Sequence, residues 1–282
     1  MPDTSAQQRY FLGAGFSTRD ALSSVFHYST AAYPCILSRM SAENTAIIQM
    51  ALRWVHLVAG ITWIGLLFFF NLVNVPFMKE LDTALKSKVF PALMNRTLFW
   101  FRWSSLLTTF AGIWYWMTIV GADARNARAL AGSAEGVRIS GGMAIGSFFL
   151  IWTIAWFICD LAVKALKVDK PVVVYVIYAT VVSVASYLYV SLNSHGWESN
   201  RLLCIGIGGG MGWMMVFNVW GVIWRINKKL IRWTEESVAA KTPMPAEAAA
   251  LGRLGFLVSR ANFALAFPML FFMGAASHLP LF

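Results

Sequence analysis

The chain has 282 residues, 58% of them hydrophobic and only 13% charged, with a mean hydropathy of +0.61. Soluble domains are nearer half apolar and about a quarter charged, so this composition excludes an ordinary soluble domain and points to an all-α polytopic membrane protein whose first partner is the lipid bilayer. The net charge of +10 does not indicate nucleic acid, because the basic residues fall in short loops between apolar runs, the pattern that sets membrane topology.

Residues 1–46 are rich in Ser, Thr and Ala and lack the apolar core of a signal peptide. They are expected to form a loosely ordered tail, with Met40 as an alternative start. Residues 47–282 are expected to form one transmembrane domain. Six runs of spanning length follow, at about 47–70, 98–120, 139–160, 171–192, 201–225 and 256–279. The fourth is β-branched, yet an open strand in lipid would leave its backbone groups unpaired, so it is expected to be helical. Two linkers are long: 71–97, and 226–255 with a candidate surface helix.

Lys79, Lys86, Lys88, Arg96, Lys164, Lys167, Lys170, Lys228, Lys229, Arg232, Lys241 and Arg253 lie in loops on one side of this arrangement, against Arg125, Arg128, Arg138 and the tail on the other. The larger set is expected to be cytoplasmic, which puts both termini on the periplasmic side of a bacterial inner membrane.

On that topology the polar residues of the spans sort into two layers. One holds Arg53, His56, Arg201, the loop residue His195, and His278 at the end of the last span. The other holds Asn71, Asn74, Arg96, Arg102, Asn218, Arg225, Arg260 and Asn262. Arg260 and His278 are 18 residues apart in the sequence. That is about 27 Å of helix, roughly one hydrocarbon thickness.

Ionisable groups in a span are costly and face other helices, a cavity or a cofactor. His56 is followed by Ala59 and Gly60, and His278 is preceded by Gly274, Ala275, Ala276 and Ser277. The fifth span carries the run G-I-G-G-G-M-G from Gly206 to Gly212. A haem needs an imidazole and a flat bed beside it. One reading is therefore a b-type haem between these spans, with His56 the first candidate for the iron, His278 the second, and Arg53 beside them. The other is that small residues let helices approach and a His bridges them by hydrogen bonds. In the second layer Arg102, Arg260, Asn218 and Asn262 offer donors for a carboxylate or planar oxyanion, or, for the arginines, snorkel to lipid phosphates. The three cysteines, Cys35, Cys159 and Cys204, have neither metal-site spacing nor a C-x-x-C-H haem attachment.

Three stretches carry a family likeness: R-W-V-H-L-V-A-G-I-T-W-I-G (Arg53–Gly65), F-N-V-W-G-V-I-W-R-I-N-K-K (Phe217–Lys229) and S-R-A-N-F-A-L-A-F-P-M-L-F-F-M-G-A-A-S-H-L-P (Ser259–Pro280). They resemble the membrane domain of cytochrome c-linked bacterial urate oxidases. The resemblance implies a six-span redox protein that passes electrons from urate or a similar purine to cytochrome c, here a separate protein. The chain departs from that family's pattern in the Gly206 region and at Ala261-Asn262, where the family has a His in each place. The first span and R-x-N-x-x-x-x-x-P, Arg260 to Pro268, also resemble HemJ-type protoporphyrinogen oxidases. Two alternatives to the urate oxidase-like activity stand beside it: such a porphyrinogen oxidase, and a non-catalytic anchor or assembly subunit of a respiratory membrane complex.

Overall fold

The structure is a computed structural model that describes the backbone of residues 18–131 and 139–282, and side chains from Glu43 onward over the same ranges. The chain forms two compact units, Met1–Ala51 and Leu52–Phe282. In the first, the described backbone is the early part of α1 (Thr18–Phe68). Helix therefore begins well inside the segment that composition sets apart as a tail.

Every regular element among the described residues of the second unit is helical, as chain in hydrocarbon must be to satisfy its own backbone groups. The end of α1 passes into a π-helical turn, π1 (Phe69–Asn74), and then into α2 (Val75–Glu80). There follow α3 (Thr83–Ala131), α4 (Gly141–Ala165), α5 (Pro171–Asn193) and α6 (Asn200–Phe217). A second π-helical turn, π2 (Asn218–Ile223), leads into α7 (Trp224–Ala240), and α8 (Ala248–His278) completes the bundle.

Among the described residues six helical stretches are long and apolar enough to cross a membrane: Glu43–Glu80, Thr83–Ala131, Gly141–Ala165, Pro171–Asn193, Asn200–Ala240 and Ala248–His278. The protein is thus a multi-pass, all-helical membrane protein, with the six spans where the apolar runs put them. The linkers differ. Most of 71–97 is helix, continuing the first span or beginning α3, and α3 itself, at 49 residues, runs about 74 Å, more than twice the hydrocarbon thickness. The basic piece after the fifth span is α7, which continues from it without a break.

Local chemistry explains where the helices start. Ser140 and Ser199 each accept a hydrogen bond from a backbone N–H three residues on, at Met143 and Leu202, the usual N-cap arrangement. The Ser199 hydroxyl in turn donates to Asp123. Pro171 opens α5, where its missing N–H costs nothing.

α6 lies at the centre. The most apolar stretch of the fifth span, to which α6 belongs, is 78% buried, against 28–39% for the other five spans. The Gly206–Gly212 run is what lets neighbours close on it. A Cβ at Gly206 would overlap the Tyr189 phenol, and one at Gly210 the Trp152 indole. At Gly208 it would meet the Met269 carbonyl of α8 at 3.0 Å.

Candidate functional site

His56 sits on the α1 face that turns toward α3. Its Nδ1 lies 2.8 Å from the Thr108 carbonyl oxygen. A carbonyl can only accept, so Nδ1 carries the proton and donates it. Nε2 is left with its lone pair, the state in which a histidine binds a metal, with a backbone carbonyl holding the other nitrogen. Gly112, one turn beyond Thr108, makes room for the ring: a Cβ there would stand 2.6 Å from Nδ1 and 2.7 Å from Cε1. Spacing within α1 does not reveal this cradle. The one hint is a lone glycine in the aromatic stretch F-A-G-I-W-Y-W of the second span.

His56 borders a cavity of about 520 Å³ between α1, α3, α6 and α8, inside the size range of small-molecule and cofactor sites. Gly60 lines it from α1, Gly209 and Gly212 from α6, and Ala276 and Ser277 from α8. Arg53 and Arg201 stand on its wall at the His56 end, and among the described residues that line it there is no carboxylate. The Arg53 guanidinium also lies 5.2 Å from the Tyr115 ring centroid. Deeper in, the Trp63 Nε1–H and the Thr108 hydroxyl are buried and have no hydrogen-bond partner among the described residues. Both residues belong to the cavity wall, and buried polar groups are ordinarily hydrogen-bonded.

The structure thus brings together Arg53, His56 and Arg201 from the first polar layer. His278 is placed elsewhere. It is exposed at the end of α8 and does not line the cavity, although the two residues before it do. One residue is about 100° of helix rotation, enough to turn a side chain from wall to rim. His195 pairs with Glu198 in the loop before α6, ring to carboxylate at 2.9 Å.

The four residues of the second layer singled out as donors do not meet in one site. Asn218, in π2, donates to the Asn262 side-chain carbonyl at 2.8 Å, and Asn262 donates to the Met215 carbonyl at 3.0 Å. The Asn218 oxygen accepts from the Trp156 indole at 3.0 Å and the Tyr178 hydroxyl at 3.3 Å. Both asparagines are almost fully buried, at 1% and 0% exposure, and these bonds tie the last four spans into one polar node. Arg102 stands apart from that node. Its guanidinium stacks 3.9 Å from the Trp224 ring centroid, with the Trp103 and Trp220 rings at 5.6 Å, as a weakly hydrated planar cation does in a dry aromatic setting. Arg260 lies 5.2 Å from the Phe256 ring. Among the described residues no group of three or more His, Cys, Asp or Glu side chains forms a metal site.

The family model for the urate oxidase N-terminal region matches residues 80–282. The chain belongs to the urate oxidase N-terminal family. No curated protein and no solved structure gives a match. The part matched as the urate oxidase N-terminal region contains α3 to α8, hence Thr108, Gly112, Arg201, the glycine run and the Asn218–Asn262 node. His56 and Arg53 lie before it, so their place in the cavity rests on geometry alone. The molecule is a urate oxidase-related, multi-pass membrane protein, and its bundle fits a bilayer setting.

Proposed function

We propose that this urate oxidase-related protein is a membrane redox protein that holds a b-type haem in the His56 cavity and relays electrons from an organic substrate to a separate cytochrome c. The observation that carries the reading is the state of His56: Nδ1–H bound to the Thr108 carbonyl, the ring seated against Gly112, and Nε2 left to bind iron. The donor set fits the group in two further respects. Arg53 and Arg201 supply cations for carboxylates at one end of a mainly apolar cavity, and glycines on two helices leave flat ground for a macrocycle. Bound there, the haem would supply one-electron redox chemistry.

The chain's own contribution is positional. Thr108 and Gly112 fix the tautomer and tilt of the imidazole. The arginines set which end of a dianionic ligand lies nearest the aqueous face, and the apolar wall excludes water. Urate or a related purine is the substrate class the family suggests. Arg102, Arg260, Asn218 and Asn262 line no part of the His56 cavity, and the asparagine pair is proposed to serve by holding the frame.

The test is a visible spectrum of the detergent-purified protein, as isolated and after haem addition. A Soret band is expected, and His56→Ala should abolish it while thermal unfolding moves by no more than a few degrees. Absence of the band from the wild-type protein under both conditions would overturn the haem reading.

A further inference from the structure

The wall of the His56 cavity is not equally covered on all sides. Its α3 residues, Thr108, Thr109 and Trp116 among them, are buried or half-buried. Apart from Arg201 at the start of α6, its exposed members lie on two other helices. On α1 they are Arg53, Leu57, Ile61 and Gly65, which recur every four residues and so form one stripe along the helix. On α8 they are Leu270 and Ser277, two turns apart. Ile61 is 66% and Leu270 45% exposed, although both line the cavity. α1 and α8 meet through Phe68, whose ring lies 5.3 Å from Phe263 and 5.8 Å from Phe267. Above that aromatic contact each helix carries an exposed residue that lines the cavity, Ile61 on α1 and Leu270 on α8. Ile61 and Leu270 lie within membrane-spanning segments, so what reaches them is hydrocarbon, not water.

We propose that the cavity exchanges its occupant with the bilayer, side-on, through a slit between α1 and α8 whose rims are Ile61 and Leu270. The class of molecule follows from the wall: a flat, mainly apolar amphiphile with carboxylates at one end for Arg53 and Arg201. Such a molecule partitions into lipid, and crossing the slit spares it passage of its apolar body through water. The slit itself is inferred without reference to the proposed function. Only the use of haem as a probe rests on that reading.

The experiment enlarges the rims. Ile61→Trp with Leu270→Trp adds rings at two exposed positions, where there is no core to overpack; Ile61→Phe with Leu270→Phe is the milder pair should the first fail to fold. Protein in lipid nanodiscs is photolabelled with a small apolar diazirine dissolved in the bilayer, and labelled residues are read by mass spectrometry. In the wild type Trp63 and Met269, buried on the cavity wall, should take label. In the tryptophan pair their labelling should fall at least tenfold, while lipid-facing Trp114 is labelled as before. In a second arm, haem b supplied in phosphatidylcholine vesicles should load the wild type at least tenfold faster than the pair. Unchanged labelling of Trp63 and Met269 in the folded pair, or no labelling of them in the wild type, overturns the slit. Blocked labelling with no haem uptake by the wild type leaves the slit standing and removes the haem reading instead.

Discussion

The two faces of α6 use the same residue to opposite ends. On one, Gly206 and Gly210 are sockets: Tyr189 of α5 and Trp152 of α4 are sunk so close to the α6 backbone that a methyl group would collide with either ring. On the other, Gly209 and Gly212 keep their nearest neighbours at 3.7 and 3.5 Å and border the cavity. Glycine lowers helix propensity by about 1 kcal/mol per residue. On the first face that cost is offset by aromatic packing; on the second it maintains open volume. A glycine-rich span is therefore not by itself a cofactor bed.

The sharpest way to break this comparison is Gly210→Ala. The methyl would overlap the Trp152 indole, itself fully buried, so a loss of about 3 kcal/mol or more is expected, read as a large drop in the thermal unfolding temperature in detergent. A near-normal transition would mean that α4 can yield and that the socket is not structural. Asn262→Leu comes next. It strands the buried Asn218 amide N–H that Asn262 now accepts, at about 1–3 kcal/mol, and should leave a haem spectrum unchanged if the node only holds the frame. A shifted spectrum at unchanged stability would instead tie the node to the cavity. Gly209→Ala should be the mildest, within about 0.5 kcal/mol of wild type, since ordinary van der Waals contact awaits its methyl. Its effect belongs in ligand affinity, and a large loss of stability there would erase the difference between the two faces.

These contrasts also show what the sequence discloses. The six spans were legible from apolar length, because a bilayer fixes the length of helix that crosses it. Sorting polar residues by depth brought Arg53, His56 and Arg201 to one end of the bundle, and in the structure all three line one cavity. Depth says nothing of azimuth, however. His278 shares that end yet points off the wall, and Gly206 and Gly209 share a run yet face different neighbours. The donors Asn218 and Asn262 were visible as polar groups in spans, but that each accepts or donates to the other is a fact about two helices, and no single-chain pattern records it. The Thr108 carbonyl was beyond reach for a simpler reason: every residue has one, and only the fold selects which is used.

The π turns have a consequence of their own. Such a turn holds one residue more than an α-helical turn would, so the helix continues but its angular bookkeeping slips by about 100°. Asn218–Ile223 is such a turn, and Trp224, which covers Arg102, comes immediately after it. The chain thereby carries its dial setting in a residue count: losing one residue from that turn would leave a smooth, unbroken rod and swing the whole basic extension α7 away from the arginine it now caps. Between close relatives, a single-residue gap at this point would mark a rotated helix and not a shortened loop.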